Sequence, residues 1–241
     1  MKIPGSAAIL SLLVLPAAWA HAGSTCVECH QNAEAVSYLE HNFADWKGSP
    51  HAKAGVACEA CHGGDPAQKD RAAAHVGLRS SRDPKSPVYF TRVPATCGAC
   101  HAAEQEAFAR SRHARELGRT GRGPNCVTCH GSMANHVLAP RELELTCNLC
   151  HRRPTKAFAT LLSLNTASAA LARLDKTLGQ ARAKGVDVGP QESSQAKAAS
   201  LYRGALVDWH TFKMDEVLKA SQEAARAANV AARELELKEQ R

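Results

Sequence analysis

Five copies of one five-residue pattern constrain this chain more than any other feature. The ten cysteines fall as Cys26/Cys29, Cys58/Cys61, Cys97/Cys100, Cys126/Cys129 and Cys147/Cys150, and a histidine follows each pair: His30, His62, His101, His130 and His151. No cysteine is left over. With 12 histidines in 241 residues, five such neighbours arise by chance roughly 3 times in ten million, so the pattern reads as the Cys-x-x-Cys-His signature of c-type haem attachment.

The spacing has a chemical reason. Two thiols two residues apart can form thioethers with the two vinyl groups on one porphyrin edge, while the adjacent imidazole swings under the ring to bind iron. A zinc ribbon also uses Cys-x-x-Cys pairs, but it needs two pairs to converge and gives no role to a histidine after each one. Disulfides leave the histidines equally unexplained. The expected cofactors are five covalently bound haem c groups, held by the ten cysteines, with His30, His62, His101, His130 and His151 as proximal ligands.

The N-terminus suits that attachment chemistry. The stretch MKIPGSAAILSLLVLPAAWAHAG has a short basic start, an apolar run from Ala7 to Leu15, and small residues at Ala18 and Ala20. It reads as a secretory signal peptide over residues 1–22, cleaved after Ala20 or Ala22. Its apolar run is short for a membrane span, and no other stretch was expected to approach that length. The expected location is the periplasm or a similar extracytoplasmic space.

Charge misleads if the cofactors are ignored. The formal net charge of +7 would suggest an acidic partner or nucleic acid. Loss of Lys2 with the leader lowers it by one. About ten propionates, offset by about one charge restored by each ferric porphyrin, then bring the oxidised protein to about +1 and the reduced protein to about −4. Nucleic-acid binding loses its main support, and redox partner proteins become the expected partners. Aromatic residues are only 5% of the chain, and the stretch from Cys26 to His151 allots about 25 residues to each haem, so the macrocycles must supply most of the core. The apoprotein is expected to be largely unfolded.

Residues 49–101 and 111–151 repeat one order of features. The first runs Ser49-Pro-His51-Ala, Cys58-x-x-Cys-His-Gly63, His75-Val76, Thr96-Cys-x-x-Cys-His101. The second runs Ser111-Arg-His113-Ala, Cys126-x-x-Cys-His-Gly131, His136-Val137, Thr146-Cys-x-x-Cys-His151. Each module has two attachment motifs and two further histidines. The first motif stands outside the repeat. Four extra histidines for four repeat haems suit bis-histidine ligation, which makes His51, His75, His113 and His136 candidate distal ligands. Methionine competes poorly, because only Met133 and Met214 remain after the leader and neither position repeats. Without an axial methionine, low potentials are expected. His136 lies six residues after His130, at most roughly 20 Å of extended chain. That barely rounds a porphyrin edge, so His136 is expected to serve a haem other than its neighbour's.

The order S-x-H-A, C-x-x-C-H-G, H-V resembles multihaem c-type cytochromes of the group containing cytochrome c nitrite reductase, hydroxylamine oxidoreductase and the latter's tetrahaem electron acceptor. The resemblance covers about residues 24–151. It implies parallel and perpendicular haem pairs, with His51 and His113 as distal ligands. The chain departs from the nitrite reductases, whose catalytic haem uses Cys-x-x-Cys-Lys, since all five motifs here end in histidine. It has too few haems for a hydroxylamine oxidoreductase, and Tyr38, Tyr89 and Tyr202 lie in no context that marks a haem crosslink.

The remaining third, 155–241, has no cysteine. Leu164, Leu171 and Leu178 recur at seven-residue intervals, interleaved by Ala167, Leu174 and Ala181, and predict a helix from Lys156 to about Lys184. Gly185 to Pro190 breaks it. A second helical region over about 192–239, interrupted near His210, ends in an Ala-rich, charged stretch suited to solvent or to a partner. Relatives in the resembled group end in long helices that support subunit contacts, and they use a tail histidine as a distal ligand. His210, among Val207, Trp209 and Phe212, is therefore the fifth distal candidate, with His41 its competitor. The C-terminal helices are the candidate surface for an oligomer.

The fold expected is mainly α: a pentahaem cytochrome domain over 23–154 wrapped around five haems, little regular sheet, and a C-terminal long-helix hairpin. The function expected is a periplasmic electron carrier. The alternative is a small multihaem reductase acting on nitrite, hydroxylamine or a similar molecule at one five-coordinate haem.

Overall fold

The computed structural model describes residues 24–31 and 43–239. The expected leader, residues 1–22, and His41 lie outside the described residues. Among those described there is no strand, and the chain is mainly α-helical.

The described residues before Thr155 form a string of short helices, each too short to persist alone. The attachment motifs sit on or at the ends of Thr25–His30, Glu59–His62, Val93–Gly98, Cys126–His130 and Pro140–Asn148. In the second, third and fifth motifs the histidine N–H bonds back to the carbonyl of the first cysteine at 2.9–3.0 Å. One helical turn therefore presents both thiols on one side.

The repeated S-x-H-A unit is a helix start. Ser49 Oγ accepts a hydrogen bond from Ala52 N at 3.1 Å, and Ser111 Oγ accepts one from Ala114 N at 3.0 Å. Both serines are buried N-caps. The histidine thus falls in the first helical turn, where the cap fixes its direction. The glycine after C-x-x-C-H has an equally local cause: Gly63 and Gly131 both take φ +78°, a conformation that L side chains resist.

Little polypeptide core exists here. Among the described residues before Thr155, only Ala57, Val93, Pro94, Ala107, Phe108, Leu117 and Leu143 are buried apolar side chains. Large apolar groups lie open instead: Val76 is 72% exposed, Val137 83% and Leu149 78%. The two valines are equivalent positions of the repeat. Apolar surface on this scale needs a cover, and a set of porphyrins carried on the motifs would provide it.

The tail does have its own core. Helices Thr155–Ala183, Gly189–Asp208 and Met214–Glu239 pack on one another. The predicted Leu/Ala stripe is its centre: Leu164, Ala167, Leu174, Leu178 and Ala181 are buried. The expected hairpin is a three-helix bundle, because the second helical region folds back on itself. The turn is a single 3-10 turn, Trp209–Thr211, followed by Phe212 at φ +58°. The Ala-rich end expected to face solvent or a partner is buried within the chain. Ala224, Ala228, Ala231, Ala232 and Leu235 line the bundle interior, where small side chains permit close helix approach.

By length and composition alone, helix Thr155–Ala183 could cross a membrane, which the sequence reading did not foresee. In this fold its leucine stripe is used against the other two helices. The bundle docks on the cytochrome part through helix Ala102–Ala109, which packs against the 3-10 turn and the second bundle helix.

Candidate functional site

No disulfide joins any of the ten cysteines. Among the described residues no group of three or more His, Cys, Asp or Glu side chains converges on a point, as a zinc site requires. Burial is the leading cause that raises the Cys58 and Cys61 thiols above their ordinary range, and neighbouring cysteines add to it. Cys129 is pushed up to about 11 by burial and by Cys147.

The imidazoles are arranged in facing pairs. His30 and His75 have ring centroids 6.1 Å apart, His51 and His101 6.0 Å, His113 and His151 5.8 Å, and His130 and His210 6.1 Å. Each pair joins a histidine of an attachment motif to one of the extra histidines. A metal bound between two imidazoles by bonds of about 2.0 Å, each nitrogen about 1.1 Å from its ring centre, sets the centroids about 6.2 Å apart. Ring packing allows a wider spread of about 4.5–7 Å. The four distances nearly coincide while the interplanar angles run from 31° to 68°. The separations match the spacing that two imidazoles on one metal atom would have.

The pairs follow a rule in each module. His51 faces the motif after the module's central one, and His113 does the same. His75 faces the motif before it. Residues 51–75 therefore reach His101 at one end and His30 at the other, with the second motif between them.

His136 departs from the expectation that it serves as a distal ligand. Among the described residues no second imidazole faces it. Its ring is partly exposed, with Nε2 3.3 Å from both carboxylate oxygens of Glu142. The reason lies in the rule itself. The counterpart of the His75 reach would bring His136 to His101, and His101 already faces His51. What His136 does supply is main chain: its carbonyl accepts the His130 Nδ1–H bond at 2.9 Å. Asn135, at φ +41°, holds that turn by donating from Nδ2 to the Gly131 carbonyl at 2.9 Å.

His210 takes the ring opposite His130. The 3-10 turn carries it, its Nδ1 bonds to the Val207 carbonyl at 3.2 Å, and Trp209 packs into the bundle cluster of Leu164, Ala205 and Val217. Burial is the main cause that lowers its pKa below the ordinary histidine range. His113 is lowered likewise, by burial and then by His151, and lies edge-on to Phe212 at 4.2 Å. The sequence offered no signal for that second contact of the tail.

The motifs neighbour one another in chain order. Ser24 Oγ donates to Glu59 Oε2 at 3.0 Å and Thr25 Oγ1 to the Pro66 carbonyl at 2.9 Å, joining the first motif to the second. Cys61 lies within electrostatic reach of Cys97 and Cys100. The Cys97 thiol hydrogen-bonds to Cys126, and helix Val93–Gly98 packs on Cys126–His130, which packs on Pro140–Asn148.

No family model matches the chain, and no solved structure matches it. Over 116 residues it is 34% identical to the C-type polyheme cytochrome OmcB of Geobacter sulfurreducens, in strain DL-1 / KN400 and in strain ATCC 51573 / DSM 12127 / PCA. The match covers 44% of this chain and 13% of the relative's length. The likeness is thus to a multihaem c-type cytochrome, and it supports that broad class for this chain without selecting any narrower group within it.

Proposed function

We propose that this chain is an extracytoplasmic pentahaem c-type cytochrome that relays electrons between redox partner proteins through mostly bis-histidine haems. The observation that carries the proposal is the set of four imidazole pairs at 5.8–6.1 Å, each beside an attachment motif. The likeness to a polyheme cytochrome supports the same reading.

Haem c, when bound, supplies reversible one-electron exchange between ferric and ferrous iron. The chain's residues provide everything else. The ten cysteines would anchor the porphyrins as thioethers, with His30, His62, His101, His130 and His151 as iron ligands, and His75, His51, His210 and His113 would be the second ligands at the first, third, fourth and fifth sites. Four sites closed in this way would exclude small molecules and favour outer-sphere transfer, and the chain-order neighbourhood of the motifs would give the electrons a path. The reductase reading gains nothing from this geometry.

The test is a haem count together with the spin state. Mass spectrometry of the holoprotein, made in a host with cytochrome c maturation, should show five haems. Low-temperature electron paramagnetic resonance of the oxidised form should be dominated by low-spin ferric iron. A high-spin signal in the wild type that nitrite or cyanide abolishes would favour a reductase instead.

A further inference from the structure

The four imidazole pairs differ in what their outer nitrogens meet. His75 Nδ1 lies 2.6 Å from the Arg71 carbonyl, His130 Nδ1 2.9 Å from the His136 carbonyl and His210 Nδ1 3.2 Å from the Val207 carbonyl. Such a bond raises the basicity of the ligand and favours ferric iron. The His51–His101 pair shows no such bond among the described residues either, and what sets His113 apart is burial. Its Nδ1 is the one buried side-chain nitrogen or oxygen among the described residues with no hydrogen-bond partner, and the Phe212 ring lies against the imidazole. His113 is therefore the poorest electron donor of the set.

Two further features act in the same direction. The apolar wall around His113 disfavours the net positive charge of a ferric porphyrin relative to the neutral ferrous one. Beside His151, an open cavity of about 570 Å³ is lined by Asn148, Arg152 and Arg153. Neither guanidinium makes an ion pair among the described residues, and both are exposed. Two positive charges at that point also favour the reduced iron.

We infer that the haem on Cys147 and Cys150 has the most positive potential of the five and is the terminus at which electrons collect before leaving for an acceptor. The inference rests on the bis-histidine reading above. It also gives the path a direction. The site at the opposite end, on Cys26 and Cys29, pairs with the imidazole that makes the shortest Nδ1 bond and is the entry.

The experiment is a potentiometric titration of the full-length holoprotein, followed optically and by electron paramagnetic resonance. In His113→Ala, a high-spin ferric signal should appear, and the most positive of the reduction waves should be the one that changes. In the double variant R152Q/R153Q, whose exposed side chains are dispensable for folding, that same wave should move to more negative potential while the others stay. The inference is overturned if the high-spin iron of His113→Ala titrates with a middle or lower wave, or if R152Q/R153Q leaves the top wave in place. A haem count below five, or a wild type that is already high-spin, would instead refute the bis-histidine reading on which it depends.

Discussion

Replacing His210 with alanine tests the placement that the sequence left most open. In the folded chain, the centroids of His130 and His210 stand 6.1 Å apart, so an atom bound between them lies about 3 Å from each ring centre on the metal–imidazole geometry above. Removing one ring leaves a gap the size of an imidazole on a single iron. With five attachment motifs, one fifth of the ferric iron should pass from low spin to high spin. The bundle should still fold, because its core of Leu174, Leu178, Val217 and Leu235 does not include His210. Far-ultraviolet circular dichroism should therefore hold while the electron paramagnetic resonance signal changes. Added imidazole, filling the gap, should restore the low-spin signal. An unchanged spectrum in a folded, five-haem H210A protein would refute the argument from ring separation, and the other three pairs would fall under the same doubt.

Other outcomes follow from the same geometry. His136→Ala should leave the spin state of the irons unchanged, since only its carbonyl meets His130; a new high-spin signal would restore it as a ligand. Ser111→Ala removes a buried N-cap at 3.0 Å and should destabilise the holoprotein by about 1 kcal/mol, measurable by denaturant unfolding. Leu174→Ala, at a fully buried bundle position, should cost about 2–5 kcal/mol and lower the thermal midpoint without altering the haem spectrum. Protein made without cytochrome c maturation should keep the bundle helicity and lose ordered structure before Thr155, as judged by circular dichroism and hydrogen exchange; retained protection around Cys97 and Cys126 would contradict the sparse-core argument.

Local features were legible because their causes are local. The thiol spacing, the Ser caps of S-x-H-A, the glycine after each module's first motif and the leucine stripe of Thr155–Ala183 each depend on a few neighbouring residues. Which ring faces which was not legible, since it depends on how separate turns pack. The repeat still held the information for His136: the reach seen in His75, transferred one module on, ends at a ring that His51 has already met. The burial of the third bundle helix was missed for a different reason. Alanine and charge alternate there in a way that suits solvent, and only the close approach of two other helices makes the alanine face a core. The chain reversal at Trp209–Phe212 depends on one left-handed residue with no glycine to announce it.

The position of His210 late in the chain has a consequence for biogenesis. A polypeptide exported from its N-terminus delivers His75 soon after the first attachment motif and His113 before the fifth. On the proposed ligation, those irons can be closed as the chain emerges. The fourth iron must wait for some eighty further residues and for the bundle that presents His210. Until then it stays open to oxygen, thiols and stray histidines, in the interior of the electron path. Folding of the haem-free tail therefore completes the redox centre of another part of the chain, and a truncated or misfolded tail should yield a fully haem-loaded protein with one reactive iron.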